Sequence, residues 1–443
     1  MQRREFIGAG ASAFAIAMAG RAFGIDAASN RVRLAIMGCH EKGRGFQLMQ
    51  RAALTKGAEI AVVCDVDARA REAAAAKILE LTGKKPEMAG DVREVLKRGD
   101  IDGLICAAPD HWHATAAVWA MKAGKAIYVE KPCTFCPAEG EVLVRVQKET
   151  NAVFEMGSQR RSATVSLEAM KMLHDGVIGE ILNGRCWYQT HRKPLGPCPS
   201  AAVPEWLDWD RWQGPAPRRA FRDGIVHYNW HWFKAWGTGE CPNNAVHFID
   251  LARWAMKLDN PEKTVSLGAR LYAKNDGWNE WPDTQTCLWQ FAGGKQVSWE
   301  GTSCQTYPPP FNAWSGLLLQ GDRGSCFFGP GDCTIFDGKG KKIAGWDRNN
   351  LVNNTETSTT NPTQLADFEH MANFVKCVRE RNPAGCNQPV TSGVASSLMA
   401  HLGNLALLTG ETIKTDGKTG RLLAGSPGAE FWGRTYEPGW ELA

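Results

Sequence analysis

Short apolar runs recur through the first third of the chain, each closed by a glycine, a proline or an acid. Residues 31–37, 59–64, 102–108 and 126–129 read as buried strands, because apolar and β-branched residues fill them without helical spacing. Helical periodicity occupies the intervals. One helix opens from the glycine-bearing turn at 38–45, and others cover 68–81 and 114–123. Strand alternating with helix predicts an α/β fold built on a doubly wound parallel sheet.

Beyond residue 156 the rhythm changes. Residues 180–189, 264–273, 284–291, 296–302, 316–320 and 325–328 read as strands joined by glycine-rich turns, enough for a sheet of several strands. Between the first two lies a stretch dense in indoles: Trp206, Trp209, Trp212, Trp230, Trp232 and Trp236. Such rings stack on sugar faces and serve equally well as packing mass. Residues 347–362, rich in Asn and Thr, read as a surface loop, and 363–381 and 392–409 as amphipathic helices.

Ligands of an open parallel sheet sit outside the carboxyl ends of its strands. The run 126–129 ends there in Glu130-Lys131-Pro132, where the proline stops the strand and fixes where the lysine side chain starts. A lysine so placed donates to a substrate hydroxyl and, when desolvated, gives up its own proton more easily. The turn after the first strand sets Gly38 and Gly43 at the first and sixth positions of a dinucleotide fingerprint, with His40 in the middle position. Asp65 closes the second strand. A carboxylate there accepts from the adenosine ribose and repels a 2′-phosphate, which favours NAD over NADP. Farther on, glycines at 237 and 239 precede a helix expected to start near Pro242 or Asn243, with an amide available as cap. Asn243 and His247, four residues apart, then share one helical face.

The strand and glycine turn, the acid at 65, the run Ala107-Ala108-Pro109-Asp110-His111-Trp112-His113 and the Glu130-Lys131-Pro132 motif together resemble the Gfo/Idh/MocA oxidoreductase family. The resemblance implies a nicotinamide-binding Rossmann domain over 31–155. It also implies a second α/β domain over 156–443, with a large open, mostly antiparallel sheet carrying the substrate site on one face and an oligomer contact on the other. Helices 363–409 would pack back on the first domain. Cofactor contacts implied are Gly38, His40, Gly43, Arg44, Asp65, Ala108, Pro109, Asp110, His111, His113, Glu130 and Lys131. Lys131 and His247 would flank the hydroxyl carbon that loses hydride, with His247 as general base and Lys131 polarising the oxygen. Asn243 stands where the commoner pattern has aspartate; an amide orients imidazole without stabilising imidazolium by charge. Arg160, Tyr228, Trp230 and His231 are further substrate-site candidates. The expected activity is NAD-dependent oxidation of a ring secondary hydroxyl of a sugar or glycoside. A transient oxidation at C3 that drives elimination, with His231, Tyr228 or Glu240 as the extra acid or base, is the alternative, and a non-catalytic sugar-binding protein is a third.

Met1-Gln2-Arg3-Arg4-Glu5-Phe6-Ile7, an apolar run of small residues to Gly20 and then Arg21 resemble a twin-arginine export signal over 1–28. The expected location is therefore the periplasm or an equivalent exported compartment, with no membrane attachment after signal removal. Composition adds little: 44% hydrophobic and 22% charged residues suit a globular protein, and a net charge of +4 over 443 residues is too small to call for nucleic acid. The 14 cysteines lack a repeating spacing, so no disulfide framework is read. The lone pair Cys133 and Cys136 has no second pair or histidine set to complete a metal site, and is read as small buried thiols. By the family resemblance, the exposed face of the second sheet implies a homodimer or tetramer.

Overall fold

The computed structural model describes residues 31–272, 279–303, 310–347 and 362–442. The proposed signal at 1–28 and nearly all of the 347–362 loop lie outside the described residues.

Six strands form the first sheet: β1 (Val32–Met37), β2 (Ala58–Cys64), β3 (Glu87–Ala89), β4 (Gly103–Cys106), β5 (Ala126–Val129) and β6 (Phe154–Met156). All pair in parallel, in the order β3-β2-β1-β4-β5-β6. Strand order turns back between β1 and β4, and the chain leaves those strands in opposite directions, opening a crevice at their carboxyl ends. Every residue of β2, β4 and β5 is buried, as a sheet covered on both faces requires. The covering helices include α1 (Arg44–Leu54), α2 (Ala68–Thr82), α3 (Val92–Leu96), α4 (His113–Lys122) and α5 (Pro137–Thr150). Helix α2 is delimited by local chemistry. The Asp67 carboxylate accepts from Arg69 N at its start, and Gly83, at φ +73°, ends it.

Nine strands form the second sheet: β7 (Ile181–Gln189), β8 (Lys263–Ala269), β9 (Thr284–Gln290), β10 (Gln296–Thr302), β11 (Ser315–Gly321), β12 (Gly324–Phe328), β13 (Asp332–Asp337), β14 (Lys342–Asp347) and β15 (Ile413–Lys414). Their order is β14-β13-β12-β11-β7-β10-β9-β8-β15. Neighbours run antiparallel except β7 and β10, which are parallel. The hairpin β13–β14 was not anticipated, because polar and small residues interrupt its alternation. Helices α6 (Thr164–His174), α7 (Trp209–Gln213), α8 (Val246–Met256), α9 (Pro362–Glu380) and α10 (Val390–Thr409) complete the second half. One sheet face buries Trp289, Trp299 and Phe328 against Phe248 and Ile249 of α8 and Met399 of α10. Helix α9 returns to the first sheet, where Met371, Phe374 and Val375 pack with Leu34, Ile36 and Leu48.

The tryptophan-dense stretch is mostly packing mass. Trp209, Trp212 and Trp236 are buried in one cluster, with Trp209 and Trp212 stacked at 4.8 Å. This segment docks on the first sheet, where Ala68 N donates to Trp206 O at 3.0 Å and Asp208 N to Val66 O at 3.2 Å. No helix among the described residues is long and apolar enough to cross a membrane.

Candidate active site

A cleft of about 420 Å³ runs along the carboxyl ends of β1, β2, β4 and β5 and is closed on its far side by residues from the second half. At one end the backbone shapes it. Gly38 sits at φ +82°, and a Cβ there would lie 2.7 Å from Ala107 O and 2.8 Å from Ala108 N, so only glycine fits. The expected fingerprint needs correction in its spacing. The turn bulges after Cys39, with Gly43 N donating to His40 O at 2.8 Å, and Gly43 is the cap of α1. The glycine that lets helix and strand cross closely is Gly45, where a Cβ would meet Gly38 O at 1.7 Å. His40 lines the cleft. Its ring stacks on His227 at 4.0 Å and 17°, while His227 Nε2 lies 2.8 Å from Asp67 Oδ2. His40, Asp67 and His227 bring their ligand atoms within 4.8 Å of one another. Near-parallel rings, however, aim their in-plane lone pairs side by side rather than at a common point.

Asp65 lines the same end. Its Oδ2 accepts from Cys39 N at 2.7 Å and its Oδ1 from Asp67 N at 3.0 Å, and each carboxylate oxygen retains acceptor capacity for a ribose hydroxyl. Arg44 also reaches the cleft, but its guanidinium is committed to Glu130 at 3.2 Å and to both oxygens of Asp367 at 2.8 and 2.6 Å. It ties α1 to the end of β5 and to α9. No side chain caps α1, so its first amides and the Gly38 turn form a cradle suited to a diphosphate. These residues fit a dinucleotide: cradle for the diphosphate, Asp65 for ribose, and Ala108, Pro109 and Glu130 along the inner wall.

The run from Ala107 to His113 divides. Ala108, Pro109, Asp110 and His113 line the cleft, whereas His111 does not. His111 is buried with its ring nitrogens 3.3 Å from Trp236 O and 3.0 Å from Trp212 O, and burial pushes it down to about 3. It holds the tryptophan segment in place. Asp110 accepts from Thr238 N at 3.1 Å and Thr238 Oγ1 at 2.6 Å, fixing the glycine-broken loop that leads to Asn243. His113 lies between Pro132 O at 2.6 Å and Ala108 O at 2.8 Å.

At the other end of the cleft side chains carry the chemistry. Lys131, Asn243 and His247 all line it. Asn243 is not a helix cap. It lies in a wide π-helical turn, Cys241–Ala245, preceding α8, and both its carbonyl oxygen and its Oδ1 accept from Lys131 Nζ at 2.7 Å. Burial moves Lys131 below the ordinary lysine range. His247 is held far below the ordinary imidazole range by burial and then by Lys131, Arg160 and Arg44. Its Nδ1 is sealed from solvent without a partner among the described residues. Trp230 and His231 reach the cleft too, stacked at 3.6 Å. His231 Nδ1 lies 2.5 Å from Tyr228 O; a carbonyl only accepts, so Nδ1 carries the hydrogen and Nε2 the lone pair. Burial takes His231 down to about 4.

Arg160 is not part of the cleft wall. It lies over the Phe248 ring and donates to Gly329 O at 3.0 Å, and its neighbour Gln159 lines the cleft instead. The sequence reading also missed Arg192. This side chain donates to Tyr228 Oη at 2.8 Å, Tyr188 Oη at 3.3 Å and Glu240 Oε1 at 3.2 Å. Glu240, expected as an extra acid or base, is buried beneath this network and also accepts from Asn244 Nδ2. Nothing in the run Thr190-His191-Arg192-Lys193 separates Arg192 from a solvated basic loop. Cys133 and Cys136 are buried free thiols, and burial pushes each up to about 12, as expected for packing rather than reactive groups.

A parallel sheet with a glycine cradle, an acid at the second strand end and a lysine and histidine at the fourth crevice wall define a dinucleotide-dependent oxidoreductase architecture. Residues 32–158 match the model of the Gfo/Idh/MocA oxidoreductase family with NAD-binding Rossmann fold. A glycosyl hydrolase family 109 protein of Shewanella putrefaciens is 30% identical over 161 residues, and the alignment spans 35% of each protein. Among solved structures, levoglucosan dehydrogenase in complex with NADH and levoglucosan superposes with a TM-score of 0.65 at 18% identity, covering 87% of this chain and 99% of that one. Scyllo-inositol dehydrogenase from Lactobacillus casei, solved with NAD(H) and scyllo-inositol, gives 0.62 at 17% identity, with 87% and 99% covered. An oxidoreductase domain protein from Kribbella flavida gives 0.66 at 17%, with the same coverage. At these identities the likeness establishes the fold, including the second, mostly antiparallel sheet.

Proposed function

We propose that the protein oxidises a ring secondary hydroxyl of a sugar or glycoside, with NAD rather than NADP as partner. The observation that carries this reading is the placement of Lys131. Its nitrogen is fixed by Asn243 at the end of β5, in one cleft with His247 and with a cradle suited to a dinucleotide. A bound nicotinamide supplies the hydride acceptor. The chain's own groups bind the reacting hydroxyl, orient it between Lys131 and His247, and exclude water behind the packed tryptophan segment. Asp65 supports the choice of NAD, since a 2′-phosphate beside a buried carboxylate would be repelled. The Arg192, Tyr188 and Tyr228 group offers polar contacts for the remaining hydroxyls.

A second reading has its own support. His231 presents a lone pair on Nε2 beside the cleft, and the relative named above carries the description glycosyl hydrolase. Oxidation at C3 would acidify the neighbouring C–H, His231 would receive that proton, and elimination would expel the aglycone before hydride returned. Within the same proposal, the domains divide near residue 155, and the chain is exported folded by a twin-arginine route. A second copy covers the outer sheet face, where Val265 and Leu267 are exposed. The test is to incubate purified protein with NAD and a panel of sugars and aryl glycosides, following absorbance at 340 nm and product mass together. NADH with a product two hydrogens lighter supports the first reading, and released aglycone without net NADH the second. Neither signal across the panel overturns both.

A further inference from the structure

Lys131 and His247 are held differently from the roles expected of them. Lys131 Nζ donates two hydrogen bonds to one residue, Asn243, through its main-chain and side-chain oxygens. Both acceptors are neutral, so neither sets a counter-charge beside the nitrogen, and they leave the remaining position of the nitrogen to the cleft. His247 Nδ1 is sealed away with no partner among the described residues. Protonating Nε2 would then create a charged ring whose other N–H donates to nothing, a costly arrangement in a buried site.

We propose that Lys131 is the base that takes the proton of the reacting hydroxyl, and that His247 stays neutral and donates a hydrogen bond from Nε2 to the same oxygen. The assignment rests on the oxidoreductase reading above. In the step, the substrate O–H bond breaks and its proton becomes the third N–H of Lys131. The electron pair left on oxygen closes the C=O bond. The hydrogen on that carbon departs with its bonding pair as the hydride that the nicotinamide supplies a place for. The proton later leaves Lys131 through the open cleft to water.

The charges around both groups agree with this assignment. Burial is the largest influence on Lys131 and favours the amine; Arg44 acts in the same direction, while Glu130, Asp110 and Glu240 oppose it. For His247, burial leads, and Lys131, Arg160 and Arg44 all resist a positive ring. A carboxylate at position 243 would reverse the balance by pairing with an ammonium. Asn243 is thus a positioning residue that offers Lys131 two acceptors and no charge.

Two readouts test this, one of them independent of turnover. Reductive methylation of Lys131 as a function of pH, quantified by peptide mass, reports its amine fraction. In the wild type the midpoint should fall below the roughly 10.4 of a free lysine, and in Asn243→Asp it should rise by about one unit or more. A wild-type midpoint at the free-lysine value, or no change in Asn243→Asp, overturns the assignment. The second readout is the single-turnover rate of absorbance change at 340 nm. His247→Gln, which keeps a donor near Nε2, should lose about tenfold and keep the wild-type pH profile. Lys131→Ala should lose about 10³-fold or more and recover with added primary amines in proportion to their basicity. A His247→Gln variant as inactive as Lys131→Ala, or an absence of amine rescue, contradicts the proposal. If wild-type protein shows no signal at 340 nm, the oxidoreductase reading fails instead, and the labelling midpoint still decides the state of Lys131.

Discussion

The two ends of the cleft are built by different means. At the cradle end each group lies within a few residues of a strand end, and the backbone alone sets its position: Gly38 after β1, Asp65 after β2, Ala108 after β4. At the reacting end, Lys131 is fixed by Asn243, 112 residues away, and Arg192 by Glu240, 48 residues away. The first end therefore tolerates little change in backbone shape and much change in distant sequence. The second depends on how the tryptophan segment and the π-helical turn settle against the first sheet. Substitutions at the two ends should separate accordingly, into loss of fold and cofactor on one side and loss of chemistry or substrate on the other.

The largest effect is expected at the reacting end. Lys131→Met should lower the single-turnover rate by about 10³-fold or more with unchanged NAD affinity by calorimetry; a parallel loss of NAD binding would erase the distinction between the ends. Next comes Gly38→Ala, which places a Cβ 2.7 Å from Ala107 O at φ +82°. It should destabilise the fold by about 3 kcal/mol in chemical denaturation and abolish NAD binding. Normal stability in that variant would mean that the turn is not rigid. Arg192→Ala should raise KM for the substrate by about 10- to 100-fold, the scale of one or two lost charged hydrogen bonds, and leave NAD affinity alone. The smallest effect concerns pH and neither end of the cleft. His401 is buried and pushed down to about 4, chiefly by burial. Its native form binds protons less readily than the unfolded chain, near 6.5, so its contribution is complete above about 6.5 and is lost as pH falls towards 4. His401→Gln should flatten part of the stability decline between pH 6.5 and 4.5, measured by urea denaturation.

The same contrast explains what could be read from the chain. Strands β1, β2, β4 and β5 of the parallel sheet were legible because they are continuous apolar runs, whereas the short, largely exposed β3 was not, and the six expected strands of the second half occur within a few residues of their predicted bounds, apart from a shorter β8. Strand-end and helix arguments located Lys131 and His247, the family resemblance paired them, and both line one cleft. The fingerprint went astray because its positions were counted at fixed spacing, while the turn carries extra residues that move the packing role to Gly45. His111 and His113 are two residues apart in one motif, yet only burial and long-range carbonyls decide that one supports and the other lines the cleft. Arg192 was invisible for a similar reason: its partners Tyr228 and Glu240 come from segments that adjoin it only after folding.

The measurement that tests the account most directly is a stopped-flow mixing of NAD-loaded protein with a sugar or glycoside, read at 340 nm in wild type and Lys131→Met. A single-turnover rise is expected in the wild type, with NAD but not NADP, and a rate about 10³-fold lower in the variant. Equal rates in the two proteins, or no rise with any sugar or glycoside in the wild type, would contradict it.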